Sequence, residues 1–232
     1  MPDRLAEIFQ RQTEYLSSLA PIYLSHGPEI DWHALPFPWP IDGRVAQEGF
    51  RLLAWRCTEE VIEAIELHYN HIGPLESHKQ KFHEEISDAF HFLIELTLAL
   101  GIGEHELISG IEGVHRFNPT NDYLYSTFKS VGNGSGETIP QRWGMFVYQL
   151  GLAMHELRQR PWRIDHRPTN RQRLVARMNA AFITFVCACR RSGISADDLY
   201  DAYFAKSAIN FQRRDENMPK EDQHGSLTVD DL

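Results

Sequence analysis

Two acidic pairs, E60-V-I-E63 and E85-I-S-D88, most constrain what this chain can fold into, because each sits inside an apolar run of helical periodicity. At about 100° per residue the members of each pair lie roughly 60° apart on one helix face. Val61, Ile62 and Ile65 flank the first pair, while Ile86, Phe90 and Phe92 surround the second. On an exposed face such pairs are common and mean little. Carboxylates on facing apolar helices are costly unless a cation lies between them. A hard divalent ion with oxygen ligands meets that need, and magnesium, which keeps waters and binds phosphates, suits an all-carboxylate set. The candidate metal ligands are therefore Glu60, Glu63, Glu85 and Asp88, with manganese able to substitute. Helical geometry turns Glu59 and Glu84 away from this stripe, whereas Glu66 stays near Glu63 in direction.

The rest of the chain reads as helices. Leu5, Ile8, Phe9, Gln12, Leu16 and Leu19 recur at steps of three and four, predicting a first helix over 3–19. Residues 27–43 hold four prolines and two tryptophans and read as an ordered loop. Helical spacing resumes over 44–70, breaks at Gly73-Pro74, and returns through Phe82 to Leu100 before Gly101 and Gly103. A short helix over 104–115 follows, then a polar segment, 118–138, read as a long and possible mobile loop. Further helices are expected over 140–159 and 169–191, and after Gly193 and an N-cap at Ser195 a last one runs to Arg214. With no alternating strand pattern the fold class is all-α: a helical bundle in one domain, 1–214, followed by a disordered acidic tail, 215–232.

Composition narrows the partners. A hydrophobic fraction of 42% and a charged fraction of 24% are those of an ordinary globular protein. A formal net charge of -9 argues against nucleic acid as a partner, since phosphate backbones are bound through Lys and Arg. The Arg158 to Arg177 stretch is read as a solvated connection with basic helix ends. No apolar run reaches membrane-spanning length and the N-terminus lacks a signal pattern, so a cytoplasmic protein without membrane contact is expected. Cys57, Cys187 and Cys189 fit neither a zinc knuckle nor a redox pair and read as free thiols. The apolar stripe Phe182, Phe185, Val186 and Cys189 is expected to remain for a helix-helix homodimer.

The pattern E-x-x-E, a spacer, then E-x-x-D resembles the all-α nucleotide pyrophosphohydrolases, a group that includes MazG-type enzymes and the dimeric dUTPases. The likeness to dimeric dUTPases is closer. W55-R-C57 precedes E60-V-I-E63-A-I-E66, E85-I-S-D88-A-F-H91-F92 follows, and Y203-F-A-K206-S-A-I-N210-F-Q-R213-R214 looks like that family's phosphate-binding helix. Two departures stand beside it: L67-H-Y-N-H-I-G73 replaces a tryptophan- and lysine-rich string, and D215-E-N-M replaces a glycine-tyrosine.

The resemblance implies magnesium-dependent hydrolysis of a deoxynucleoside triphosphate to the monophosphate and pyrophosphate, in nucleotide-pool sanitation, by a homodimer. Its substrate would be dUTP first and, as in phage enzymes of similar build, dCTP second. It also implies that Lys206, Asn210, Arg213 and Arg214 bind phosphates and that Gln12 binds the base, its amide matching a pyrimidine edge. Glu60, beside Glu63, is the candidate general base that takes the proton of an attacking water. Trp55 is expected in the core. Two other classes fit parts of the pattern. A di-iron carboxylate bundle would use D88-A-F-H91 and E112-G-V-H115, and a non-catalytic nucleotide-binding module would keep the fold without turnover.

Overall fold

The structure, a computed structural model, describes residues 3–23, 37–69, 75–109, 122–132, 136–158 and 168–216. Among these the chain is all-α: α1 (Arg4–Tyr23), α2 (Arg44–Tyr69), α3 (Leu75–Ala99), α4 (Glu104–Ile108), α5 (Tyr123–Ser130), α6 (Ile139–Glu156), α7 (Arg171–Arg191) and α8 (Ala196–Asp215). Local chemistry sets several of the boundaries. Thr138 and Gln141 close a capping box on α6, as do Ser195 and Asp198 on α8. Asn170 caps α7, accepting from the Arg173 amide at 3.0 Å. Gly193, at a φ of 80°, takes the left-handed conformation that ends α7.

Contact order along the helices gives their directions. Cys57 meets Ala89 and Glu60 meets Glu85, so α2 and α3 run antiparallel. On α1 and α8 the partners rise together, Glu7 with Tyr200 and Tyr15 with Phe211, so these two helices are parallel. Lys206 reaches Asp88 and Tyr203 stacks on His91, which sets α8 antiparallel to α3. The result is that α3 lies between α2 on one side and the α1–α8 pair on the other.

The core is one apolar cluster extending from Leu5 to Tyr203. At its centre Phe185 of α7 stacks on Phe90 of α3 at 5.4 Å and meets the edges of Trp143 and Phe146 of α6 at 5.3 and 5.1 Å. Trp39, from the proline-rich segment, is buried against Phe50 and its amide donates to the Ala99 carbonyl, an ordered anchor for the described part of that segment.

Three expectations need correction. The stripe Phe182, Phe185, Val186 and Cys189 is not left over for a partner: all four are fully buried within the one chain, because α4, α5 and α6 pack against α7. The segment 118–138 is not one long loop, since α5 lies inside it. Asp122 caps α5, and Leu124 and Phe128, four residues apart, bury its inner face. The turn-forming sequences on either side had masked this short amphipathic stretch. Trp55 is 57% exposed rather than core, its indole N–H donating to Glu59 at 2.6 Å.

Parts of 27–43, 104–115 and 118–138, Gly73-Pro74, E112-G-V-H115 and the tail from 217 lie outside the described residues. Cys57 and Cys189 are buried and Cys187 is half-buried, all three as free thiols. Phe185→Ala is expected to cost about 3–5 kcal/mol, the range for truncating a fully buried ring. Urea unfolding measures this, and a loss below about 1 kcal/mol would mean the aromatic cluster does not organise the core.

Candidate metal centre

The antiparallel register of α2 and α3 carries Glu60 to the face where Glu85 and Asp88 stand one turn apart. Carboxylate oxygens of Glu60, Glu85 and Asp88 all lie within 4.8 Å of one another, and the three side chains are half-buried. Glu63 stands one turn beyond Glu60, outside that grouping but near enough for its charge to raise the pKa of both Glu60 and Glu85. Three of the four expected carboxylates therefore form the cluster, with the fourth beside it.

Electrostatics show the cost of the arrangement. Burial, then the charges of Asp88, Glu63 and Glu85, push Glu60 up to about 8. Burial and Glu63 also raise Glu85, while its hydrogen bond with Glu60 and the ammonium of Lys206 work the other way. Glu60 is thus the member that holds a proton, donated towards Glu85. Lys206 of α8 supplies a cation, its Nζ donating to Asp88 Oδ2 at 2.6 Å.

The donor set fits a hard divalent ion. Oxygen-only ligation suits magnesium or manganese rather than zinc or copper. Oxygens already within 4.8 Å of one another would need only small side-chain adjustments to converge on such an ion. Glu60, Glu85 and Asp88 would hold such an ion directly, with Glu63 in reach.

Glu59 and Glu84 are turned away from the cluster as helical geometry predicts, whereas Glu66, whose direction near Glu63 made it a candidate fifth acidic group, does not join it. Glu59 is taken up by Trp55 and Arg56, Glu84 accepts from Gln80, and Glu66 is exposed. Along α8, Asn210 and Arg213 are half-buried beyond Lys206, whereas Arg214 pairs with Asp215 and covers the Phe211 ring at 4.7 Å. The structure thus brings Lys206 to the carboxylates and turns Arg214 elsewhere.

Gln12 is 3% exposed, on the inward stripe of α1, and its Oε1 accepts from the Tyr203 hydroxyl at 2.7 Å. Tyr203 stacks on His91 with ring centroids 4.0 Å apart and planes 9° from parallel. This link between Gln12, Tyr203 and His91 is what sequence reasoning missed. Its only linear signal is that His91 follows Asp88, and Tyr203 precedes Lys206, by one helical turn. His91 cannot act as a free second ligand of a di-iron pair through Nδ1, which lies 2.9 Å from the Ser87 carbonyl.

Residues 68–218, well over half of the chain, match the family model described as dUTPase, and the chain belongs to that family. The match places it among enzymes of the nucleotide diphosphatase type. No curated protein and no solved structure matches the chain significantly. Among the described residues no helix is long and apolar enough to cross a membrane.

The shift at Glu60 has a definite sign. Its folded-state pKa of about 8 exceeds the ordinary 4.5, so the protonated form is favoured in the fold. The associated stability is complete below about pH 4.5 and lost as pH rises through about 8. In EDTA the melting temperature should therefore fall between pH 5 and 8.5, and Glu60→Gln should flatten that fall. Equal slopes for the two proteins in a fluorescence melt would show that Glu60 is not the protonated member.

Proposed function

We propose that this protein hydrolyses a pyrimidine deoxynucleoside triphosphate, dUTP first and dCTP second, to the monophosphate and pyrophosphate, with magnesium, or manganese in its place, as cofactor. The observation that carries the reading is the meeting of Glu60, Glu85 and Asp88 from antiparallel helices, with Lys206 bonded to the last of them. Family membership supplies the nucleotide.

A bound magnesium ion would neutralise charge developing on the phosphates. The chain's own contributions follow from its geometry. Glu60, Glu63, Glu85 and Asp88 provide the anionic floor. Glu60, which favours its protonated form while no cation balances the cluster, would be ionised against a bound cation and in that form is suited to accept the proton of an attacking water. Lys206, Asn210 and Arg213 share one stripe of α8, since offsets of four and seven residues rotate by about 40° and -20°. That stripe is the cationic clamp for the phosphates, with Arg214 off it. Gln12, buried where α1 meets α8, is the base-reading group.

The reading includes a cytoplasmic homodimer. With the α7 stripe consumed by the core, support for pairing moves to α2, where Leu52, Trp55, Ile62 and Tyr69 are exposed within one side of the helix. Light scattering at micromolar concentration measures the mass, and a monomer would remove this part of the reading.

Steady-state kinetics with pyrophosphate detection test the activity. Asp88→Asn and Glu63→Gln are each expected to lower kcat at least about 100-fold while the protein stays folded, because they remove charge that acts on the reacting phosphates. Arg213→Ala should lower kcat more than it weakens nucleotide binding. Tight nucleotide binding without pyrophosphate release from any common triphosphate would identify a non-catalytic module instead. Near-full magnesium-dependent activity in Glu63→Gln would remove Glu63 from the site.

A further inference from the structure

Lys206 donates to Asp88 Oδ2 at 2.6 Å, and among the described residues this is the only hydrogen bond its ammonium makes. Asp88 is at the same time one of the three carboxylates whose oxygens gather within 4.8 Å. The two side chains are 29% and 20% exposed, so solvent screens their contact only in part.

The next cation on the same stripe of α8 stands differently. Arg213 is half-buried, with no hydrogen bond or ion pair among the described residues. A phosphate arriving at the stripe can take Arg213 directly, but can take Lys206 only by breaking its contact with Asp88. The helix cannot shift to serve both partners. Tyr203 and Ser207, on either side of Lys206, are buried and tie α8 to α1 through Gln12 and Arg11. Any transfer of the ammonium is therefore made by the flexible four-carbon side chain alone.

Charge decides when that transfer is favourable. An ammonium and a divalent ion compete for one carboxylate, and the ion, with twice the charge and a closer approach to oxygen, is the stronger partner. An ammonium displaced from Asp88 keeps its charge and all three donors for a ligand at the stripe. We propose that Lys206 couples the two ligands of the site: Asp88 holds it until a divalent ion takes that carboxylate, and it is then released to the phosphates. Ion and phosphate thus strengthen each other's binding, by the same factor in both directions. The inference rests on the metal and phosphate sites proposed above, and adds the order in which they fill and the residue that links them.

The test follows the ammonium itself. With lysines isotopically labelled at Nζ, the Lys206 resonance, assigned by its loss in Lys206→Met, should shift as magnesium alone is titrated, in step with binding measured by calorimetry. Lys206→Met should bind magnesium alone at least about 5-fold more tightly than the wild type, because the ion no longer displaces a cation. Arg213→Met removes the same charge from the same stripe but no contact with Asp88. Standing about 10 Å further along α8, close to the screening length at moderate salt, it should change magnesium affinity by less than about 2-fold. A non-hydrolysable dUTP analogue, with NH in place of the oxygen between its α and β phosphorus atoms, should tighten magnesium binding more in the wild type than in Lys206→Met. Direct contacts between ion and analogue are common to both proteins and cancel in that comparison.

Magnesium binding that leaves the Lys206 resonance in place overturns the proposal. So does equal magnesium affinity in a Lys206→Met protein with an intact cooperative melt, or an Arg213→Met that tightens binding as much. A protein that binds no magnesium would remove the metal reading and this inference together. Turnover of dUTP by the wild type is assayed separately. Turnover with an unmoved Lys206 would refute the coupling and leave the hydrolase reading standing, and displacement of Lys206 without turnover would do the opposite.

Discussion

Like-charge repulsion among half-buried carboxylates is the constraint on which the rest of the structure depends. Burial, and then the charges of Asp88, Glu63 and Glu85, push the Glu60 carboxyl up to about 8 in the space it shares with Glu85 and Asp88. Such a cluster survives only on a scaffold that cannot relax away from it. The scaffold here is a pair of long antiparallel helices whose apolar sides are locked elsewhere. Val61 and Ala64 of α2, and Ile86, Ala89 and Phe90 of α3, are all fully buried. Separating the carboxylates would mean prising these residues apart, so hydrophobic burial opposes the electrostatic repulsion directly.

The α1–α8 pair plays the second part. Its parallel register is held by Tyr200 donating to Glu7, Tyr203 donating to Gln12 and Arg11 donating to Ser207. Arg11 also lies 3.9 Å above the Phe211 ring, which anchors the far end of α8. This docking aims Lys206 at Asp88, placing a positive charge against the acidic floor. Because α8 carries both the lysine and Tyr203, charge balance at the carboxylates and the polarity of the Gln12 amide depend on the same helix position. A one-residue slip of α8 would rotate both contacts away by about 100°.

How much of this was legible in the sequence follows from the range of the interactions. The acidic pairs, the capping residues and the amphipathic stripes repeat within a few residues, so the boundaries of α2, α6, α7 and α8 could be read to within a few positions. Which stripe faces which was not legible. Phe182 to Cys189 reads equally as core or as interface, and only the packing of α4, α5 and α6 against it decides for core. Trp55 fails for a related reason: its hydrophobicity suggests burial, yet its helix phase differs from that of the buried Leu53, Ala54 and Cys57. The contact from Gln12 to Tyr203 joins residues 191 apart in the chain and leaves no local trace. In the linear pattern Gln12 is an apolar-stripe position with a polar residue, and its orientation exists only in the fold.

The match to the dUTPase family begins at residue 68, beyond Glu60 and Glu63. Within the first acidic pair, Glu60 meets Glu85 and Asp88 through the packing of α2 on α3, with Glu63 one turn beyond it. That meeting does not depend on the carboxylates alone. The Cys57 thiol lies 3.2 Å from the Ala89 carbonyl, an uncharged contact one turn from Glu60 on α2 and, on α3, one turn from Glu85 and next in sequence to Asp88. Cys57, Val61 and Ala64 are fully buried against this face of α3, and they set the register by packing. Given that register, Glu60 has no position on α2 other than opposite Glu85. Apolar contact thus dictates where the charges meet, and the charges in turn select for a cation at that point. Geometry gathers Glu60, Glu85 and Asp88 into one cluster, the last two lying within the residues that match the family model.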